Sequence, residues 1–546
     1  MRPFRSCLRG LWQLLRSLRG RVAVSIFIGL LAVSASLAFV WISKRIVDIA
    51  TGTRADAALA PHVWGMVGIM AVQVLCAVAA RYWNGLLSVY ARNRTRAAVF
   101  GKVMRSVWSG RERFHSGDVV NRLEGDIDLV VDFLCTTLPE GIVTFVQLLA
   151  ASVYLIVLAP DMAWILLLIM PTAVLCSRLF FRKLRALTNE IRADDSAVQG
   201  LMQENLQHRV LVKTTGSLLR MLGRLDRLQA HLQGKTVERL NYGAVSRGFM
   251  QLGFAAGYAL VFFWGVFGLR DGTVTYGTMV AFLQLVSQVQ RPVANLASQI
   301  PAFIRALSSQ DRLQDLADLP LEEDGADIRL PGTPGVRVEG LSFSYDGNDT
   351  TVLRDLDFDF KPGTMTVVLG TTGSGKSTLA RLIMALLAPD AGRVLLYGEG
   401  GAEVLSSART RCNFRYVPQG NSLMSGTIRE NLTLACPDAR EEDVRDALHV
   451  AAADFVYDFA NGLDTACAEV GAGLSEGQAQ RIAIARALLS PGGILVLDEA
   501  TSALDGETET QLLRRLSGRY HGNVTIICIT HRPAATDYAD AVLKIG

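Results

Sequence analysis

Roughly the first three hundred residues alternate between long apolar runs and long polar ones. Residues 22–42, VAVSIFIGLLAVSASLAFVWI, carry no charged side chain. A run of about twenty apolar residues, wound as a helix, crosses the hydrocarbon core of a bilayer. Comparable runs follow at about 62–80, 138–159, 162–181, 248–269 and 274–298. The pattern predicts a membrane α-helical bundle of six transmembrane helices. Val33-Ser34-Ala35 resembles a small-residue cleavage site, but the apolar run continues past it to Ile42, so this first run is expected to remain as a span. The segments 81–137 and 182–247 lack Pro/Gly clusters and read as helices that continue beyond the membrane.

The pattern changes at residue 320. PLEEDGADIRLPGTPG (320–335) is acidic and rich in Pro and Gly, as linkers are. Beyond it VRVEGLSFSY alternates apolar and polar residues like a half-exposed strand, and MTVVL, ILVLD and NVTIICIT are short apolar runs of strand length. The expected division is a membrane domain (1–319), a linker (320–335) and an α/β domain (336–546). No internal repeat is evident.

Composition sharpens this picture. Half of the 546 residues are hydrophobic and 19% are charged, and the mean hydropathy of +0.28 is too high for an ordinary soluble enzyme. The net charge is only +4, but its placement is informative. The first twenty-one residues carry six arginines and no acid, and the 81–137 and 182–247 loops are also basic, whereas the turns Ala159-Pro160-Asp161 and Arg270-Asp271-Gly272 are nearly free of bases. The positive-inside rule then puts both termini in the cytoplasm. The eight cysteines are scattered without a C-x-x-C pair, so they read as reduced, buried hydrophobes rather than disulfides or zinc ligands. In the last span Gln284, Gln288, Arg291, Asn295 and Gln299 share one helical face. Polar groups in a membrane usually face a cavity, so this stripe is expected to line a path, with Arg291 favouring an anionic or polar group.

The chemistry lies in the last two hundred residues. Gly370-Thr371-Thr372-Gly373-Ser374-Gly375-Lys376-Ser377 fits the phosphate-binding pattern G-x-x-x-x-G-K-[ST], preceded by a strand-like run and followed by a helix-like one that starts with Thr378. Glycines let backbone N–H groups wrap phosphates, the lysine neutralises their charge, and the serine hydroxyl can hold Mg²⁺. Downstream, ILVLDEA ends in Asp498 and Glu499, as a buried strand does when it delivers carboxylates to a phosphate site. Leu474-Ser475-Glu476-Gly477-Gln478 stands before a helix-like run. With these motifs in this order, the chain resembles half-transporters of the exporter-fold ATP-binding-cassette (ABC) family.

That resemblance implies roles for residues that carry no signal alone. Tyr345 corresponds to the aromatic that stacks on adenine, and Gln419 in YVPQ to the glutamine that touches Mg²⁺ or the attacking water. Ser475, Gly477 and Gln478 correspond to the signature that meets the γ-phosphate of an ATP held by another cassette. Glu476 stands where the commoner signature has glycine, and is expected to face solvent or the neighbouring domain. Asp498 is expected to hold Mg²⁺ with Ser377 and Gln419, Glu499 to act as general base, His531 as the switch histidine, and Ser502-Ala503-Leu504-Asp505 as the loop joining two sites. Glu469 is expected to meet the coupling helices, which by resemblance fall near Arg113–Asp118 and Gln207–Ser217.

The implied activity is ATP hydrolysis with Mg²⁺, driving export or flipping of a small molecule, lipid or peptide by a homodimer, or by a heterodimer with a related half-transporter. An exporter-fold importer, for example of a siderophore, is the alternative. The intact Glu499 and His531 argue against a purely regulatory subunit, and the spans argue against a soluble cassette that handles nucleic acid. The expected location is the bacterial inner (plasma) membrane, with the N-terminus and cassette in the cytoplasm and lipid as surroundings.

Overall fold

The computed structural model describes residues 4–53, 58–108, 116–160, 162–164, 181–345, 351–371, 373–398, 401–467 and 473–545. The chain divides into two compact units: Met1–Phe100 with Gly117–Ala317, and Gly101–Ser116 with Asp318–Gly546.

The first unit is helical. Phe4–Ala50, Leu59–Met104, Gly117–Leu158 and Leu218–Arg270 are the four helices, among the described residues, that are long and apolar enough to cross a membrane. The span expected at 162–181 lies almost wholly outside the described residues. The run expected at 274–298 forms helix Tyr276–Ala317, which is long enough but less apolar than those four. Its setting explains the difference. Leu59–Met104 buries only Cys76, Leu87 and Ala91 and exposes Trp64, Val74, Leu75 and Val78, whereas Tyr276–Ala317 fully buries Ala281, Phe282, Leu285, Val286 and Val289. A helix wrapped by protein need not be apolar all round; one that faces lipid must be.

Phe282 packs tilted against Trp264 at 5.1 Å within a cluster that also holds Val40, Leu155 and Val261. Asp48 of the first helix accepts a hydrogen bond from the Gly277 N–H at 3.1 Å, which satisfies one of the donors a helix start leaves open. Only glycine fits there, because a Cβ would overlap the Asp48 carboxylate and the Lys44 carbonyl. Farther along, Arg312 pairs with the buried Asp126, and Arg122 donates to Asp118 (3.0 Å) and to the Arg312 carbonyl (2.8 Å). Helices Phe181–Gln207 and Leu218–Arg270 flank a short helix, Arg209–Thr214, followed by a left-handed Gly216. This occupies the second expected coupling turn; residues 113–115 of the first lie outside the described residues.

The second unit contains the α/β cassette. An antiparallel sheet is built from β1 (Gly335–Phe343), β2 (Leu353–Phe360), β4 (Ala391–Tyr397) and β5 (Glu403–Leu405), in the order β2-β1-β4-β5. A parallel sheet follows from β3 (Met365–Leu369), β6 (Phe414–Val417), β9 (Ile494–Asp498), β10 (Thr525–Thr530) and β11 (Ala541–Lys544), in the order β11-β3-β10-β9-β6; β7 (Gly426–Thr427) and β8 (Ala466–Cys467) form a small hairpin ladder. The parallel strands bury both faces, as covered parallel sheets do. On one face Val368, Val496, Ile527 and Ile529 pack with helix Lys376–Ile383 and the antiparallel sheet. On the other, Val367, Leu495, Leu497, Ile526 and Cys528 pack with helices Glu441–Val450 and Glu476–Leu489. Period-two alternation along each strand therefore sends helices Lys376–Ile383 and Glu476–Leu489 to opposite faces.

The acidic stretch expected as a linker packs along this cassette. Leu330 is buried in its core, Glu322 pairs with Arg411 at 2.8 Å, and the Ile328 and Leu330 N–H groups donate to the Arg409 carbonyl and Asn413 Oδ1. Composition hides this, since the attachment is one apolar anchor plus backbone hydrogen bonds. The seven described cysteines are unpaired, and five are buried.

Candidate active site

Four adjacent strands of the parallel sheet deliver the predicted residues at their carboxyl ends. β3 leads into Gly370–Gly375, β9 ends in Asp498 and Glu499, β10 precedes His531, and β6 precedes Gln419. Open parallel sheets bind ligands at this edge. The loop after β3 then enters helix Lys376–Ile383, whose N-terminal dipole favours an anion.

The loop's backbone is shaped as the motif requires. Gly373 and Gly375 have φ of +87° and +96°, conformations that favour glycine. At Gly370 a Cβ would collide with the Ile545 carbonyl and with Ser374 Oγ. Ser374 Oγ itself is buried without a hydrogen-bond partner, a donor that phosphate oxygens would satisfy. Lys376 is 4% exposed and donates to the Gly370 and Thr371 carbonyls, both at 2.9 Å, so its ammonium occupies the cradle it would share with phosphate. Thr372 lies outside the described residues.

Two carboxylates close the site. Ser377 Oγ donates to Asp498 Oδ1 at 2.8 Å, and the Tyr416 hydroxyl donates to Oδ2 at 3.3 Å. Burial pushes the Asp498 carboxyl above its usual range, opposed by the Ser377 hydroxyl, the charge of Arg381 and the Tyr416 hydroxyl. Glu499 turns out of the strand with φ +49°, a left-handed conformation that costs a non-glycine residue about 1 kcal/mol or more. Its N–H is held by the Ile529 carbonyl at 2.9 Å. The turn brings its carboxylate to Gln419 Nε2 (2.9 Å) and within 3.7 Å of Lys376 Nζ. His531 stands exposed just beyond β10.

Tyr345 is half-buried, edge-on to Phe343 at 4.9 Å, with its hydroxyl 3.0 Å from Thr378 Oγ1 and 3.4 Å from Arg381 Nη1. Ser475 caps helix Glu476–Leu489: its Oγ accepts from the Gln478 N–H (3.2 Å) while Gln478 Oε1 accepts from the Ser475 N–H (2.9 Å), a reciprocal capping box. Glu476 is exposed in the first turn, where its charge suits the helix dipole. Gly477 lies under the Ser502–Asp505 loop; a Cβ there would come within 2.9 Å of the Ala503 carbonyl. Both oxygens of Asp505 are taken by Thr508, capping helix Gly506–Tyr520. Glu469 lies outside the described residues.

Several working residues escape sequence reasoning. Gln480 bridges the signature helix to the loop, donating to Ser502 Oγ and accepting from the Ala503 N–H, both at 3.1 Å. Arg532 donates to the Ser502 and Leu504 carbonyls and to Glu509. Their only signals are position, two residues past the signature and one past His531.

The membrane unit brings fewer predicted residues together. Asn295 and Gln299 line a polar cavity, whereas Gln284 and Gln288 end in buried oxygens without partners and Arg291 is exposed.

These features agree with known proteins. Residues 22–293 match the ABC transporter transmembrane region and residues 353–502 the ABC transporter nucleotide domain. An uncharacterized ABC transporter ATP-binding protein of Bacillus subtilis, YfiB, is 30% identical over 88% of this chain and 84% of its own length. The chain belongs to the ABC transporter family. This ABC transporter is also 29% identical, over 88% of its length, to 82% of an ATP-dependent lipid A-core flippase of Chromobacterium violaceum. A solved bacterial Atm1-family ABC exporter with ATP bound superposes with a TM-score of 0.80 at 25% identity, covering 97% of this chain and 94% of that one. The transporter therefore joins an exporter-fold helical membrane domain to a cassette that binds and hydrolyses ATP, in a multi-pass membrane protein.

Proposed function

We propose that two copies of this chain pair in a bacterial inner membrane, cassettes in the cytoplasm, and use ATP to export or flip a small molecule, lipid or peptide. One observation carries the pairing: the phosphate-loop helix and the signature helix pack on opposite faces of one sheet. Ser475 of one copy then completes the site built by Lys376 of another. The related flippase and exporter support the direction of transport.

At the site, Tyr345 stacks on adenine and Gly370–Thr378 wraps the phosphates with backbone N–H groups, Ser374 Oγ and Lys376. Ser377 Oγ, Asp498 and Gln419 offer the oxygen donors that suit Mg²⁺, whose bound charge would offset that of the phosphates. Glu499 polarises the attacking water as general base, held by its left-handed turn and by Gln419. His531 contacts the γ-phosphate from the neighbouring strand end. ATP closes the paired cassettes because it binds that state better, and hydrolysis reopens them.

The turn around Arg209–Thr214 exposes the apolar side chains of Val210, Leu211, Leu218 and Leu219. The test is ATP hydrolysis by this chain alone in lipid nanodiscs, beside Glu499→Gln. Glu499-dependent hydrolysis supports two competent sites from one chain. Its absence from folded, ATP-binding protein contradicts self-pairing. Accumulation in inside-out rather than right-side-out vesicles separates export from import.

A further inference from the structure

A cavity of about 430 Å³ lies among helices Phe4–Ala50, Leu59–Met104, Leu138–Leu158 and Tyr276–Ala317. Its walls include Ser25, Asn84, Glu140, Thr144, Asn295 and Gln299, and Glu140 is the one charged residue in its lining. An adjoining cavity of about 500 Å³ shares Asn84 and Glu140 and adds Arg81. Among the described residues Glu140 makes no hydrogen bond or ion pair. Beside it Asn84 Oδ1 takes the Ser25 hydroxyl at 2.6 Å, and Gln299 Oε1 lies against Gly141, where a Cβ would approach it to 2.8 Å, so neither amide oxygen is turned to Glu140 as a partner.

Glu140 is exposed and lines both cavities, as charged groups in membrane helices usually do when they face a water-filled cavity or a substrate path. A cationic amino group has N–H donors and no acceptor, and so complements a carboxylate that is the one charge in the lining. A phosphate or carboxylate group would be repelled there. We propose that this chamber binds the cationic nitrogen end (an ammonium or iminium group with N–H donors) of an amine-bearing substrate, with Glu140 as its counter-charge. Arg81, reachable from the adjoining cavity alone, is a neighbour of the site and not part of it. Arg291, the base expected to select substrates, lines neither cavity. The assignment rests on the transport reading above, because it names the chemistry that the membrane path accepts.

Rhodamine 123 and fluorescein share a xanthene core but carry opposite charge, and rhodamine 123 presents N–H donors. Their binding to the full chain in zwitterionic nanodiscs, read by fluorescence anisotropy, tests the site. Rhodamine 123 is expected to bind about tenfold more tightly than fluorescein, a difference typical of one charge-assisted contact. Glu140→Gln should erase that preference, Glu140→Asp should keep most of it, and Arg81→Gln should leave it intact or enlarge it. Unchanged rhodamine binding by a Glu140→Gln protein that still binds ATP would overturn the proposal, as would dependence on Arg81 instead. Hydrolysis by the parent and Glu499→Gln in the same nanodiscs reports separately. If it is Glu499-dependent and the dyes ignore Glu140, the cationic-nitrogen site alone falls; if folded, ATP-binding parent does not hydrolyse, the transport reading falls with it.

Discussion

In the cassette, the predicted ATP-site side chains converge from four neighbouring strand ends, and most are held by a neighbour: Lys376 by two carbonyls, Asp498 by two hydroxyls, Glu499 by Gln419. In the membrane unit, polar groups are strung along helix Tyr276–Ala317, and Gln284, Gln288, Gln310 and Gln314 each end in a buried oxygen without a partner. The Gln419 amide is thus held by a carboxylate, whereas these four amide oxygens are left open. A triphosphate is a fixed ligand, so its site can be preorganised down to single atoms. A transport path that alternates between states cannot hold each polar group in one permanent pair.

The contrast makes its sharpest prediction at Glu499. Glu499→Gln should lower hydrolysis by about 10²–10⁴-fold while ATP binding persists, the range expected for losing a general base. Lys376→Ala should lose binding itself, read by equilibrium nucleotide titration. Gly477→Ala comes next. Its methyl group would press on the Ala503 carbonyl, so hydrolysis should fall about tenfold or more, with a destabilisation of about 1–3 kcal/mol seen in thermal unfolding. Parental hydrolysis by Gly477→Ala would show that the loop is less tightly committed than the geometry indicates.

On the membrane side single changes should be gentler. Gln288→Ala, or Arg291→Ala, should alter the ranking of transported compounds only a few-fold and leave ATP hydrolysis coupled, since no one contact dominates there. An all-or-none loss of transport would erase the distinction between the units. Asp498→Asn tests preorganisation from the other side. Burial raises its folded-state pKa, so the stability linked to its proton is present below the ordinary carboxylate pKa and is lost as pH rises through the folded value. At neutral pH the asparagine variant should therefore unfold at a higher temperature without nucleotide, yet hydrolyse poorly; at acid pH the stability gain should vanish. The smallest effect on stability is expected from the cap: Ser475→Ala should cost about 1 kcal/mol in thermal unfolding through loss of the capping box, apart from what it removes from the ATP site that Ser475 completes.

The cassette was legible in the sequence because its chemistry is local. A phosphate loop occupies eight consecutive residues, and a strand running into two acids occupies six, so Lys376, Ser377, Asp498 and Glu499 could be named directly. What stayed hidden depends on backbone shape or distant contact. No pattern announces that Glu499 turns left-handed, or that Gln480 and Arg532 clamp one loop from two directions. In the membrane half, hydropathy located both Leu59–Met104 and the run at 274–298, but it could not show that the first faces outward while Tyr276–Ala317 is buried by other helices. Glu140 was overlooked because a lone carboxylate at a span's edge gains meaning only when residues of three other helices line the same cavity.

The pairing of cassettes through opposite sheet faces is tested most directly by mixing two broken copies. Lys376→Ala spoils the phosphate loop and Ser475→Arg the signature, so each variant alone should hydrolyse almost no ATP. In a mixed dimer the intact loop of one copy meets the intact signature of the other, leaving one complete site. Co-assembly in equal amounts should then restore about a quarter of the parental hydrolysis, because half the dimers are mixed and each has one good site. Mixed dimers that form, bind ATP and remain inactive would contradict it.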